Sequence, residues 1–242
     1  MLTLYHHGSS VCAAKVRFHF FEKGLDWDGV YIDILSGEQF TDEFRAINPK
    51  AVVPSLVHDG RIINESTVIC EYVDLVWPET SLHPNDPFEF TKGRYWSKAI
   101  DEELHPACGD LTFVASHRHT LTKLGPEKLS EFLAATPEIS VNAKWAERKR
   151  ELVRLGFDAP GAKDSIKLYD TYLFRIEAAL ENSEWVAGDS ITHADVGLAP
   201  YVNRLDMMSM AGMWENGRLP KMTAWWQRIK ARPGFKPMLL DW

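Results

Sequence analysis

Cysteine is scarce in this 242-residue chain, and the three present (Cys12, Cys70 and Cys108) are odd in number and far apart. That pattern is not a disulfide framework, and with no Cys-x-x-Cys motif there is no support for dithiol redox chemistry; a reducing, cytoplasmic setting is the simplest reading. Long apolar runs are missing too, and nothing approaches the roughly 20 residues that span a bilayer. The opening Met-Leu-Thr-Leu-Tyr has no basic leader and no small-residue cleavage site, so it does not read as a signal peptide. Positive charge is in deficit, with 27 Lys and Arg against 34 Asp and Glu and a net charge of −7. A mildly acidic surface argues against nucleic acid, which needs a basic patch. Neither His-Glu-x-x-His nor a Cys/His zinc spacing occurs, so no metal is expected, and His6, His7, His105, His117 and His119 read as packed or surface residues. Gly-x-Ser-x-Gly is absent as well, which leaves acyl transfer without support.

What is present is ordinary globular material, 45% apolar and 25% charged, enough for one large domain or two small ones. Residues 2–7 alternate like a strand. Residues 12–23 read as a helix stopped by Gly24, and 27–34, rich in β-branched and aromatic residues, as a strand. A short helix over 37–48 ends at Asn48-Pro49, and 54–64 forms a hairpin about Asp59-Gly60. Val68, Ile69, Tyr72, Val73 and Val76 then mark a helical stripe over 65–77. This β-α-β-α-β-β-α order predicts a small mixed sheet with helices on both faces.

Prolines and polar residues over 77–88 mark a linker, and everything beyond it is helical in flavour. The helical segments are 87–118, with a break expected at Pro106, then 141–156, 167–182 and 223–235. Leu168, Tyr172, Phe174, Ile176 and Leu180 fall near one face of the third. The expected organisation is an α/β domain over 1–78, a linker over 79–87 and an all-α domain over 88–242.

Four segments carry possible chemistry. Pro54 cannot donate to a sheet ladder and must stand at a strand entry or edge. A trans bond is the expectation from the segment alone; a cis bond would turn the Val53 N–H and C=O outward to pair with an extended, peptide-like ligand. In Asn64-Glu65-Ser66-Thr67, Ser66 is placed to cap a helix. The helix N-terminus suits a carboxylate and Glu65 an ammonium, so the pair would fit the two ends of an amino acid. Ser9 and Ser10 stand at a strand-to-helix joint, where a hydroxyl can donate to a thiolate and lower that thiol's pKa. Thr192 and Asp195 form a capping box, and Asp195 reads as structural.

These elements in this order resemble the cytosolic glutathione transferase family. The resemblance spans nearly the whole chain and rests on SSVCAAKVRFHFFEKGL, INPKAVVPSLVHDG, NESTVICEYV, ITHADVGLAP and LPKMTAWWQRIKARPGF. It implies a thioredoxin-like N-terminal domain, an all-α C-terminal domain, glutathione as co-substrate and a homodimer, with a heterodimer with a relative as the alternative. It also implies a cis Pro54 and Val53 pairing with the cysteinyl part of glutathione. Glu65 and Ser66 would hold the γ-glutamyl end, with Gln39 and Lys50 near the glycyl carboxylate. Ser10, five residues before Lys15-Val16-Arg17, resembles the serine that stabilises the thiolate. Ser9 is second, and Cys12 the alternative of members that exchange thiols. Ala51 departs from the glycine more common there.

Within the family, residues 47–73 and the charged segment NAKWAERKRELVRLGFDAP are similar to bacterial glutathione-dependent β-aryl etherases of lignin breakdown. The implied reaction is attack by glutathione thiolate on a small, aromatic electrophile bound between the domains. Trp96, Phe113 and Trp226 are candidates to line that pocket, with core packing the ordinary role of such residues. The alternatives are a non-catalytic glutathione- or ligand-binding or interaction protein, and a Cys12-based glutathione lyase or thiol-transfer enzyme.

Overall fold

A computed structural model describes residues 1–141 and 144–240. Asn142 and Ala143, the second and third residues of the charged 141–156 segment, and Asp241 and Trp242 lie outside the described residues. The first elements are β1 (Leu2–His6), α1 (Val11–Lys23), β2 (Asp28–Tyr31), α2 (Asp42–Ile47), β3 (Ser55–His58), β4 (Arg61–Asn64) and α3 (Ser66–Val76). The strands form one sheet in the order β2-β1-β3-β4, with β1 parallel to β2 and antiparallel to β3. Alternation along β1 divides its side chains between two layers. Leu2 and Leu4 pack with Val16, Phe20, Ile69 and Val73 of α1 and α3. Tyr5 faces the opposite layer, with Phe44 of α2, Ile32 and Val53. This is the thioredoxin-like unit.

Local chemistry sets the boundaries. Gly24 closes α1 at φ 65°, a left-handed position that glycine takes without penalty. Asp59 and Gly60 both have positive φ, as a two-residue hairpin requires. The expected 37–48 helix divides into a 3-10 turn, Glu38–Phe40, and α2, because Thr41 restarts the chain as an N-cap accepting from Phe44 N.

The helical part runs α4 (Pro87–Ala99), α5 (His105–Thr112), α6 (Arg118–Leu121), α7 (Pro126–Ala134), α8 (Trp145–Leu155), α9 (Pro160–Ala179), α10 (His193–Met207), α11 (Pro220–Lys230) and α12 (Phe235–Met238). Pro106 does not break the chain's path. A π-turn, Ile100–Leu104, joins α4 to α5 directly before it, and the wider turn accommodates the proline ring. Phe174 leaves the face assigned to it: two residues beyond Tyr172 it points to the far side of α9, half exposed, under the Arg218 guanidinium. The main helical core centres on α5, α9, α10 and α11. A smaller one, built on Phe113, Val114, Trp145, Leu152 and Val153, stands apart from it beside the thioredoxin-like unit. No described helix is long and apolar enough to cross a membrane.

Candidate functional site

Two cavities meet where the sheet faces the helices. The first, of about 250 Å³, is lined by Cys12, Lys50, Val53, Pro54, Glu65 and Ser66, together with Asn48, Asp101 and His105. The second, of about 150 Å³, is bounded on the sheet side by Ser10, Ile34, Gln39 and Val53, and on the helical side by Phe113, Phe132, Trp145 and Lys149. Val52, Val53, His105, Ser140 and Val141 belong to both walls. An apolar cavity of this second size accepts one benzene-sized ring.

The Val53-Pro54 bond is cis. Ala51 has φ 53°, which explains why glycine would suit that position. Ser66 does not cap α3. Glu65 occupies the N-cap position at φ 72° without a side-chain capping bond, and Ser66 is the first helical residue. The Glu65 carboxylate therefore stays on the surface, paired with Lys50 Nζ at 2.7 Å. An ammonium, a helix N-terminus and a carboxylate thus stand around one polar cavity. Gln39 is apart from them. It is buried in the wall of the second cavity, where Nε2 donates to the Ile34 carbonyl.

The two serines have different environments. The network around Ser9 closes when Nδ1 of His7 accepts from both the amide (3.1 Å) and the hydroxyl (2.8 Å) of Ser9, and Nε2 of His117 donates to Ser9 Oγ at 3.1 Å. Burial brings His117 down to about 3, so its ring is neutral at physiological pH. The Ser9 proton is thereby committed. Ser10 is the N-cap of α1 and accepts from Ala13 N at 3.1 Å. Its proton goes to the Val53 carbonyl across 3.4 Å, a long bond that a better acceptor in the cavity would replace.

Cys12 points toward the helices. Its Sγ lies 3.3 Å from His105 Nδ1 and 3.6 Å from the Tyr201 hydroxyl. Burial pushes the thiol up, but His105, Lys15 and the Tyr201 hydrogen bond outweigh it and bring Cys12 down to about 7. Cys70 and Cys108 are raised by burial and inert by comparison. Among the described residues no group of three His, Cys, Asp or Glu side chains converges as a metal site.

Of the aromatic candidates, Phe113 lines the second cavity. Trp96 and Trp226 are core residues whose indole N–H groups donate to the Val186 carbonyl and to Asp206. The sequence reading missed His105, His117, Phe132, Trp145 and Lys149. Only Lys149 carried a visible signal: it lies four residues after Trp145 and three before Leu152, on the stripe α8 buries.

Residues 9–76 match the family model of the glutathione S-transferase N-terminal domain, and residues 129–233 that of the C-terminal domain. Protein LigF of Sphingobium sp. strain SYK-6 is 31% identical over 242 residues, covering 98% of this chain and 92% of LigF. The crystal structure of that β-etherase superposes with a TM-score of 0.87 at 29% identity, covering 98% of both chains. The tetrachloro-p-hydroquinone reductive dehalogenase of Sphingobium chlorophenolicum is 27% identical, covering 97% of this chain and 94% of its own.

Proposed function

The chain belongs to the glutathione S-transferase family, and from that premise we propose that it is a glutathione-dependent β-aryl etherase. The observation that carries this reading is the junction at Val53, whose carbonyl holds the Ser10 hydroxyl, of a polar cavity with an aromatic cavity the size of one ring. Glutathione would lie extended through the first cavity. Its γ-glutamyl ammonium would replace Lys50 as the partner of Glu65, its carboxylate would meet the start of α3 at Ser66, and its cysteinyl amide the Val53 backbone; the half-exposed Lys50, released from Glu65, would swing to the glycyl carboxylate. Its sulfur would then reach the joint, where the Ser10 hydroxyl donates to the thiolate and raises its population at neutral pH. Fixing sulfur and electrophile side by side supplies the proximity term. In the reaction, the thiolate attacks the carbon bearing the aryloxy group, next to a ketone. The C–S bond forms, the C–O bond breaks, and its electron pair leaves on the aryloxide.

The test is release of phenol from a β-aryl ether ketone with and without glutathione. Glutathione-dependent release with a thioether product supports the reading. No release from any such ether removes it and leaves a transferase with a different electrophile.

A second reading has its own observation, the depressed thiol of Cys12 on the wall of the first cavity. Thiol transfer would pass through a Cys12–glutathione mixed disulfide. Under the etherase reading, Cys12→Ala lowers turnover no more than a few-fold and no mixed disulfide is trapped. Complete loss of activity in that variant would favour thiol transfer.

We also propose a homodimer. Val68 and Leu75 of α3, and Phe88 and Tyr95 of α4, are 48%, 83%, 68% and 64% exposed, apolar and aromatic side chains on two neighbouring stretches of chain that a second copy would cover. Light scattering is expected to give twice the 27.6 kDa chain mass; a monomer at micromolar concentration would refute it. A cytoplasmic location is supported by the three unpaired cysteines and is checked by fractionation.

A further inference from the structure

We infer that Lys149 receives the departing aryloxide, holding its oxygen as an ion pair and protonating it, an inference that rests on the etherase reading of the same cavity. The other buried lysines of this chain have carboxylate partners: Lys15 pairs with Asp101 at 3.2 Å and Lys23 with Asp74 at 2.7 Å. Lys149 is as deeply buried, 7% exposed, yet among the described residues no carboxylate pairs with it. Its hydrogen bond goes to Thr136 Oγ1 at 3.2 Å, one acceptor for an ammonium with three protons. Around Nζ stand three rings, Phe113 and Trp145 at 5.6 Å and Phe132 at 5.9 Å to their centroids. Those same three rings wall the cavity that Lys149 lines opposite Ser10.

The three ring faces and one hydroxyl offset part of the burial, but an ammonium with no counter-ion among the described residues in an apolar, one-ring cavity is still costly to keep. A core role would be met by methionine or leucine at no such cost. What the arrangement fits is an aromatic group carrying negative charge on an oxygen. The aryl ether itself is neutral, so that charge is present only as the C–O bond breaks, and an interaction made then accelerates the reaction. The protonation also runs in the right direction. Burial brings the Lys149 ammonium down to about 8, and an acid of that strength protonates a phenoxide of pKa about 10 downhill. The electron pair of the broken C–O bond takes the Nζ proton, the phenol leaves, and the amine regains a proton from water.

Two measurements test this, both on Lys149→Met, which keeps volume and apolar contacts and is expected to melt no lower than wild type. The first is turnover of a series of aryl ethers whose leaving groups run from phenoxy to 4-nitrophenoxy. The phenoxy ether is expected to lose roughly 100-fold in kcat, the scale of a lost general acid, and the 4-nitrophenoxy ether only a few-fold, because its anion needs little help. An equal loss across the series would mark Lys149 as merely structural and overturn the proposal. The second measurement needs no turnover. With S-methylglutathione in the first cavity, wild type is expected to bind 4-nitrophenolate at least tenfold more tightly than 4-nitroanisole, and Lys149→Met to lose that preference. Retained preference in the variant, or no preference in wild type, overturns the proposal. Failure of the etherase reading is seen separately, as wild type releasing phenol from none of the ethers, and it takes the leaving-group step with it.

Discussion

Ser10→Ala is expected to lower kcat/KM by roughly 100-fold, the cost of removing one donor from a developing or resident anion. The thiol pKa of bound glutathione should rise by about two pH units toward its free value. The argument turns on where each hydroxyl proton goes. Ser9 is the more buried serine and has the shorter bonds, but its proton is taken by His7 and its lone pair by His117. Ser10 has only a 3.4 Å contact to the Val53 carbonyl to give up. Ser9→Ala should therefore leave the thiol pKa unchanged while costing about 1–3 kcal/mol of stability, since it strips a buried pair of imidazoles of their shared partner. Ser10 also caps α1, and its loss as a cap costs about 1 kcal/mol in the alanine variant. Ser10→Gly separates the two roles, because glycine keeps most of the cap but has no hydroxyl. If the glycine variant turned over like wild type, the thiolate role would belong elsewhere. A Ser9→Ala enzyme with a raised glutathione pKa would reverse the assignment of the two serines.

What the sequence showed and what it hid separate along physical lines. Alternation in β1, the Asp59-Gly60 turn, the Gly24 stop and the Thr192–Asp195 box are local signals, and each reappears in the structure. The residues on one wall of the first cavity were legible because they lie in two short segments, 50–54 and 65–66. Of the second cavity, the sheet-side residues Ser9, Ser10, Gln39 and Val53 were named for glutathione, and on the helical side only Phe113 was picked out. Its walls come from residues 10, 34–39, 113, 132 and 145–149, brought together by tertiary packing with no spacing to announce it. His105 and His117 looked like scattered histidines because their partners, Cys12 and Ser9, are 93 and 108 residues away. Phe174 was misplaced for the opposite reason: a run dense in apolar residues offers more than one face, and burial selects only one.

Asp195→Ala is expected to produce the largest stability loss, about 3–5 kcal/mol, which for a chain of this size lowers the melting temperature by roughly 10 °C. Asp195 is fully buried and accepts from four donors. Oδ1 takes the Val186 amide at 3.0 Å and the Trp225 indole at 2.9 Å; Oδ2 takes the amide and hydroxyl of Thr192, each at 3.0 Å. It thus joins the start of α10 to α11 and to the loop before α10. Alanine would leave those donors buried without an acceptor, and each uncompensated donor is expensive. Asp195→Asn keeps an oxygen for Val186 and Trp225 but turns an amide against the two Thr192 donors, so about half the loss is expected. That graded variant keeps the test informative if the alanine variant fails to fold. The effect reaches the site through α10, which carries Tyr201 beside Cys12 and Arg204, whose Nη2 donates to the Ser9 carbonyl at 2.5 Å. A loosened α10 start should therefore lower turnover in proportion to the fraction unfolded, with KM for glutathione unchanged in the folded remainder. Wild-type melting in Asp195→Ala would refute the load assigned to this carboxylate. Wild-type melting with lost turnover would make Asp195 a residue of the site rather than of the fold.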